Sequence, residues 1–286
     1  GFLVERAFVN IDCPYGRKLY SEIPEGVKKY SFGTSDSADF WASAVRLQST
    51  GLEFMLNYPE GQCLIRSNLL GRHNVLNLLA SLSTSYINGV PMDFLRARVL
   101  SFPGVTGRME RIIAGQDFNV IVDYAHTHDA IQHACEMIHE ITKGKKIIVF
   151  GCGGERDKQK RKLMAKIAKQ FCSNLYITDD NPRNESPKEI RKEIIKYLSG
   201  TKYYEIGDRK KAIQKSIDNC GPGEIVLIAG KGHETTQDYG KRILAFSDRS
   251  VIKNTKNKSF SYKKAQIYLN NELLKQILSL NKNFVF

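Results

Sequence analysis

Four short polar segments hold the side chains best suited to chemistry in this sequence, and each follows an apolar run. The first reads Asp123-Tyr124-Ala125-His126-Thr127-His128-Asp129. It can offer a carboxylate to a metal or a ribose, and imidazoles to phosphate. A histidine beside a strand end is, taken alone, more often structural than catalytic. The second reads Gly151-Cys152-Gly153-Gly154-Glu155-Arg156-Asp157. It is not the dinucleotide fingerprint, because the third glycine of G-x-G-x-x-G falls at Arg156. What it offers is a backbone that a ligand can approach, then a guanidinium that can hold a carboxylate through two parallel hydrogen bonds. The third reads Asp179-Asp180-Asn181-Pro182-Arg183-Asn184-Glu185, with Pro182 stiffening the turn. An Asp, an Asn and an Arg together can bind both ends of a zwitterion, the acid meeting the ammonium and the Arg the carboxylate. The fourth reads Gly230-Lys231-Gly232-His233-Glu234, where Glu234 can receive an amine. It lacks the spacing of a phosphate-binding P-loop. Each segment alone also reads as an ordinary turn. Together they point to a polar pocket for a small charged amino acid.

The elements around these segments must bring them to one place. Residues 119–124, 146–150, 174–178 and 224–229 read as apolar strands, and residues 129–141, 158–171 and 187–198 as amphipathic helices. Such alternation means a parallel sheet covered on both faces. Sites in these sheets lie beyond the carboxyl ends of the strands, which puts all four segments on one rim. Residues 1–104 read differently. They contain a buried strand over 7–11, a hairpin over 45–56 turning near Gly51, and a helix over 74–87 between Gly71 and Gly89. That helix carries Val75, Leu78, Leu79 and Leu82 on one face. Asp93 is expected to cap a further short helix, and the Phe102-Pro103-Gly104 turn is the expected domain boundary. The expected division is 1–104, 105–250 and a basic Lys/Asn-rich tail over 251–286.

Composition narrows the function classes. The chain has 286 residues, 42% apolar and 26% charged, the balance of a folded globular protein. No run approaches the ~18 apolar residues of a membrane helix. The six cysteines show no C-x-x-C or zinc pattern, so they read as reduced, cytosolic thiols. The net charge of +13 invites a nucleic-acid reading, but residues 251–286 alone hold seven Lys against one Glu. The remaining charge is spread among acidic residues and suits an enzyme that handles phosphates and carboxylates.

Seven segments in order resemble the Mur ligases, the ATP-dependent amide-forming enzymes of peptidoglycan synthesis. They are Gly71-Arg72-His73-Asn74-Val75-Leu76-Asn77, Gly107-Arg108-Met109-Glu110, residues 122–127, residues 150–161, Asp180-Asn181-Pro182-Arg183, Gly230-Lys231-Gly232-His233-Glu234 and Ser247-Asp248-Arg249. The nearest resemblance is to the type that adds meso-diaminopimelate to UDP-N-acetylmuramoyl-L-alanyl-D-glutamate. It implies an α/β chain: the second half of the central ATP-binding domain, then a Rossmann-like C-terminal domain with a mostly parallel sheet. It implies ATP contacts at Asn74, Arg108, Asp123 and His126. It implies meso-diaminopimelate contacts at Arg156, Asp180, Asn181, Pro182, Arg183, Gly230 and Glu234. ATP and Mg2+ are the implied cofactors, and UDP-N-acetylmuramoyl-dipeptide and meso-diaminopimelate the implied small-molecule partners. The implied setting is a monomer in the bacterial cytoplasm, with neither nucleic acid nor membrane as partner. The implied chemistry is activation of a carboxylate as an acyl phosphate, then attack by an amine; no catalytic base or metal ligand is assigned.

Arg183 is expected to separate substrates, since diaminopimelate has a second carboxylate where lysine has none. The family's Gly-Lys-Thr phosphate loop and its carbamylated-lysine segment are missing from these 286 residues. Gly1 is therefore expected to fall partway through the central domain, and the chain as given to be inactive. His128 stands where the family usually has Pro, and Cys13 where a second Asp is common. The alternatives are the same ligation with L-lysine, a non-catalytic Rossmann-like ligand-binding module and, far behind, a basic nucleic-acid-binding protein.

Overall fold

The computed structural model describes residues 4–255. The chain divides into two compact units between Val105 and Thr106. In the first unit the elements run β1 (Arg6–Asn10), α1 (Pro14–Glu22), β2 (Lys28–Gly33), β3 (Phe40–Gln48), β4 (Gly51–Tyr58), β5 (Gly61–Ser67), α2 (His73–Ile87) and α3 (Met92–Ser101). The strands form one sheet in sequence order. β1, β2 and β3 are parallel, whereas β3, β4 and β5 are antiparallel. The expected hairpin is β3–β4, with its turn just before Gly51. The helical face read from the sequence is the one the fold buries: Val75, Leu78, Leu79 and Leu82 of α2 meet Phe40, Phe54, Leu56 and Ile65 of the sheet in one core.

Two expectations in this unit need correction. The strand over 7–11 is an edge strand in which Val9 is buried and its neighbours are partly covered, because β1 has a partner on one side only. Asp93 does not cap α3. The cap position is Pro91, and Asp93 sits in the first turn, paired with Arg96 at 3.0 Å.

The second unit runs β6 (Glu110–Arg111), β7 (Asn119–Asp123), α4 (His128–Ile141), β8 (Lys146–Phe150), α5 (Gln159–Phe171), β9 (Asn174–Ile177), α6 (Pro187–Ile195), β10 (Lys202–Glu205), α7 (Arg209–Asp218), β11 (Ile225–Ala229), β12 (Thr236–Asp238), β13 (Ile243–Ala245) and α8 (Asp248–Asn254). Six strands form a sheet in the order β10-β9-β8-β11-β7-β6. All neighbours are parallel except the β6–β7 pair at one edge. The chain steps outward from β8 to β10, then returns through α7 to insert β11 between β7 and β8. Right-handed crossovers in opposite directions put helices on opposite faces. Accordingly α4, α5 and α6 pack side by side, and α7 packs with α8. The central strands are buried on both faces, which explains their unbroken runs of Ile, Val and Leu.

The sequence reading passed over β10 and α7. β10 is an edge strand of composition Lys-Tyr-Tyr-Glu, mostly exposed, so it shows no apolar run. α7 buries a narrow stripe of Ala212, Ile213, Ser216 and Ile217 beneath a cationic surface. All six cysteines are free, and Cys135, Cys152, Cys172 and Cys220 are buried. Among the described residues no helix is long and apolar enough to cross a membrane. The tail assigned to 251–286 lies outside the described residues from position 256 onward.

Candidate functional site

A cavity of about 480 Å³ opens at the carboxyl ends of β7, β8, β9 and β11. It draws on all four polar loops: His126 and Asp129 after β7, Arg156 and Lys160 after β8, Asp180, Asn181 and Arg183 after β9, and Gly230 and Glu234 after β11. Seven of the sequence-assigned residues are thus brought to one wall. Pro182 is buried behind it and shapes the turn, its carbonyl accepting from the Glu185 N–H at 3.1 Å. Asn74 belongs to the first unit, where its side chain donates to the Leu70 carbonyl at 2.8 Å and accepts from Asn77 at 3.0 Å.

Glycines let these loops touch. The Gly154 N–H donates to the Asn181 carbonyl at 2.9 Å, and a Cβ on Gly154 would stand 1.9 Å from the Pro182 carbonyl. Gly230 has φ +117°, and a Cβ there would meet the Asp180 carboxylate at 2.5 Å.

The loop after β7 is organised by Asp123. Its two carboxylate oxygens accept from the backbone N–H groups of Met109 at 2.7 Å and Ala125 at 2.8 Å. Asp123 is buried and outside the cavity lining, so in this conformation it shapes the loop. Arg108 lies over the Tyr124 ring at 4.8 Å, also outside the lining. His126 does line the cavity, and its Nδ1 sits 2.7 Å from the Tyr124 carbonyl, which places a proton on Nδ1. Lys160 donates to the His126 carbonyl at 3.1 Å.

The loop after β9 is fixed from below and from one side. The Asn181 Oδ1 accepts from the Lys231 ammonium and from the Asp238 N–H, both at 2.9 Å. Its Nδ2 donates to Glu234 at 3.0 Å. Arg183 has φ +53°; its N–H donates to the Asp238 carbonyl at 3.0 Å, and its Nη1 donates to the Gly154 carbonyl at 2.7 Å. Gln237 donates to the carbonyls of Asp179 at 3.2 Å and Asp180 at 2.9 Å. The clamp is therefore the β12–β13 hairpin, which the sequence reading missed. Its strands are three residues each, and the visible signal was the Tyr239-Gly240 turn, with Gly240 at φ +70°. Beneath the loop, burial pushes the Asp179 carboxyl above its ordinary value despite hydrogen bonds from Arg191 and from the Tyr239 hydroxyl at 3.0 Å.

Glu185 ends this loop and joins it to α5. Arg161, almost wholly buried, grips both Glu185 oxygens at 2.8 Å through Nη1 and Nη2. These bonds hold the Glu185 carboxyl down at about 2. A depressed carboxylate adds stability above its unfolded value and loses it as pH falls toward the folded value. Glu185→Gln is expected to cost on the order of 2 kcal/mol at pH 7. Urea unfolding of wild type and variant should show that gap closing between pH 4.5 and pH 2. A gap that does not change with pH would contradict the ion-pair assignment.

Among the described residues no three His, Cys, Asp or Glu side chains gather as a metal-binding group. No step below is routed through the magnesium that the resemblance implies.

A polar cavity on the carboxyl rim of a mostly parallel sheet, joined to a separate α/β unit, is an arrangement that matches known domains on both sides. Residues 3–85 match the Mur ligase middle domain, and residues 107–232 match the Mur ligase glutamate ligase domain. The chain belongs to the Mur ligase family. Two relatives bear the name UDP-N-acetylmuramoyl-L-alanyl-D-glutamate--2,6-diaminopimelate ligase. That of Trichormus variabilis is 40% identical over 252 residues, 87% of this chain and 51% of its own length. That of Halalkalibacterium halodurans is 41% identical over 221 residues, 77% of this chain and 46% of its own. A solved structure of the same name superposes with a TM-score of 0.70 at 32% identity, covering 88% of this chain and 53% of that one. The chain spans about half the length of these relatives.

Proposed function

We propose that this chain provides the amino-acid site of an ATP-dependent ligase that joins meso-diaminopimelate to UDP-N-acetylmuramoyl-L-alanyl-D-glutamate in the bacterial cytoplasm. The observation that carries the reading is the cavity itself, which sets carboxylates and guanidiniums on one rim. Asp180 and Glu234 suit an ammonium; Arg183 and Arg156 suit carboxylates. Diaminopimelate has an amino-acid group at each end, so it needs both kinds of partner twice. The relatives named above support the same substrate.

In this reading ATP supplies the phosphoryl group that converts the free carboxylate of the D-glutamate residue to an acyl phosphate. The amine of diaminopimelate attacks the acyl carbon, the carbon–oxygen bond to phosphate breaks, and the amine proton is lost. The part played by the residues described here is to bind and orient the attacking amino acid. Asn74, Arg108, Asp123 and His126 are proposed ATP contacts. The 286 residues contain no Gly-Lys-Thr phosphate loop, so this polypeptide alone is expected to be inactive in ligation.

Calorimetric titration with meso-diaminopimelate, with L-lysine as control, tests the reading. Saturable binding of diaminopimelate and none of lysine is the expected result. Equal binding of the two would favour the lysine-adding alternative, and binding of neither would overturn the assignment of the amino-acid site to this cavity.

A further inference from the structure

Lys231 has no place in the reading above, yet its side chain is fully buried behind the cavity wall. A buried ammonium persists only where its charge and its hydrogen bonds are answered. Both partners are site residues: the Lys231 Nζ donates to Glu234 Oε2 at 2.8 Å and to Asn181 Oδ1 at 2.9 Å. Asn181 Nδ2 donates at 3.0 Å to that same Glu234 oxygen, so the three side chains close a ring of hydrogen bonds. Asn181 is a residue of the loop after β9 and Lys231 of the loop after β11, so the ring also ties two loops together. Glu234 Oε2 is occupied twice, while among the described residues Glu234 Oε1 accepts no hydrogen bond. Burial alone would push the Glu234 carboxyl up. The hydrogen bonds from Lys231 and Asn181, with the charges of Lys231 and Arg209, outweigh burial and hold it below its ordinary value.

A lysine between two glycines in a loop invites a phosphate-binding reading. Its complete burial and its two partners place it instead among the groups that shape the cavity.

We propose that Lys231 is a positioning residue of the amino-acid site, holding one oxygen of Glu234 so that the other Glu234 oxygen meets an ammonium of the bound amino acid; Asn181 Oδ1 keeps its hydrogen bond from the Asp238 N–H without it. The proposal rests on the reading of this cavity as an amino-acid site.

The test is calorimetry with meso-diaminopimelate on the full chain, for wild type, Lys231→Met, Glu234→Gln and the double variant, at pH 6 and pH 8. Lys231→Met is expected to weaken binding by about 10–100-fold, the loss of charge-assisted hydrogen bonds on Glu234. Without its counter-charge Glu234 takes up a proton more readily, so the variant should bind better at pH 8 than at pH 6. Carbon-13 NMR of the Glu234 carboxyl should show the matching upward shift in its titration, which a merely structural lysine would not cause. Adding Lys231→Met to Glu234→Gln should change affinity less than twofold, and this comparison holds even where the single Lys231 variant fails to fold. A further tenfold loss in the double variant would mean that Lys231 acts on the ligand independently of Glu234, and would overturn the proposal. So would a Lys231→Met protein that binds within twofold of wild type. If wild type itself binds no diaminopimelate, the amino-acid reading fails first and the proposal with it.

Discussion

Arg183→Ala is expected to weaken meso-diaminopimelate binding by roughly 30- to 150-fold while leaving any residual binding of L-lysine within a few-fold. The magnitude follows from removing one partner of a hydrogen-bonded charge pair, about 2–3 kcal/mol at the low end of the usual range. The low end applies because the Arg183 side chain is 26% exposed and its pair is partly screened by solvent. The selectivity follows from what the substitution leaves in place. Arg183 is already a non-glycine residue at φ +53°, so alanine meets the same backbone conformation. The backbone bond from residue 183 to the Asp238 carbonyl survives, as do the Gln237 bonds that clamp the loop. What disappears is the guanidinium, with its bond to the Gly154 carbonyl and its ion pair with Asp238 at 3.9 Å. That bond uses one of five donors and fixes the fork, leaving others for a carboxylate. Arg183→Lys should recover only part of the loss, because an ammonium cannot reproduce a two-point grip. Calorimetry with both amino acids measures all of this. An equal loss for lysine and diaminopimelate would mean that Arg183 supports the loop and does not select the substrate.

The parts of this molecule legible in its sequence are those where one physical signal dominates. β7, β8 and β11 are buried on both faces, so burial alone writes an apolar run. α2 has one buried face, and its period reads directly as Val75, Leu78, Leu79 and Leu82. From these strands the fold rule for parallel sheets sends the four loops to one rim, and the cavity lies there. The illegible parts depend on partners far apart in the chain. β10 is a strand because it pairs with β9, not because of its own residues. β12 and β13 exist as a clamp on a loop some fifty residues earlier, through bonds such as that of Gln237 to Asp180. Lys231 looked like one residue of a flexible glycine loop. Its burial follows from carboxylate and amide partners, one of them at position 181, and no local pattern announces that. Asp123 shows the converse. It has a ligand-binding side chain at a strand end, yet its two oxygens hold backbone N–H groups of its own domain.

Arg209 and Asp248 carry the largest expected effect on stability. Both side chains are completely buried, and they meet in a two-point grip, Nε to Oδ1 and Nη2 to Oδ2, each at 2.8 Å. Arg209 begins α7 and Asp248 begins α8, and Arg209 Nη2 also donates to the carbonyl of Ala229, the last residue of β11, at 3.0 Å. One pair therefore joins two helix starts to the strand that leads into Gly230. The acid suits the positive end of its helix, whereas the arginine opposes its own helix dipole and depends on the acid beside it. Asp248→Ala is expected to cost about 3–5 kcal/mol in urea unfolding, because it leaves an unpaired buried cation. A guanidinium cannot shed its proton at accessible pH, so that cost should be the same at pH 5 and pH 8. Arg209→Met leaves an unpaired buried carboxylate instead and should also be strongly destabilising. The double variant Arg209→Met with Asp248→Leu removes both charges and should lie within about 1–2 kcal/mol of wild type. Arg209 Nη1 has no hydrogen-bond partner even in the native pair, a loss the apolar pair does not carry. If the double variant were as unstable as the sum of the singles, the two side chains would be contributing independently and not as a coupled pair. The view that it fixes the position of α7 and α8 at little net gain would then be wrong.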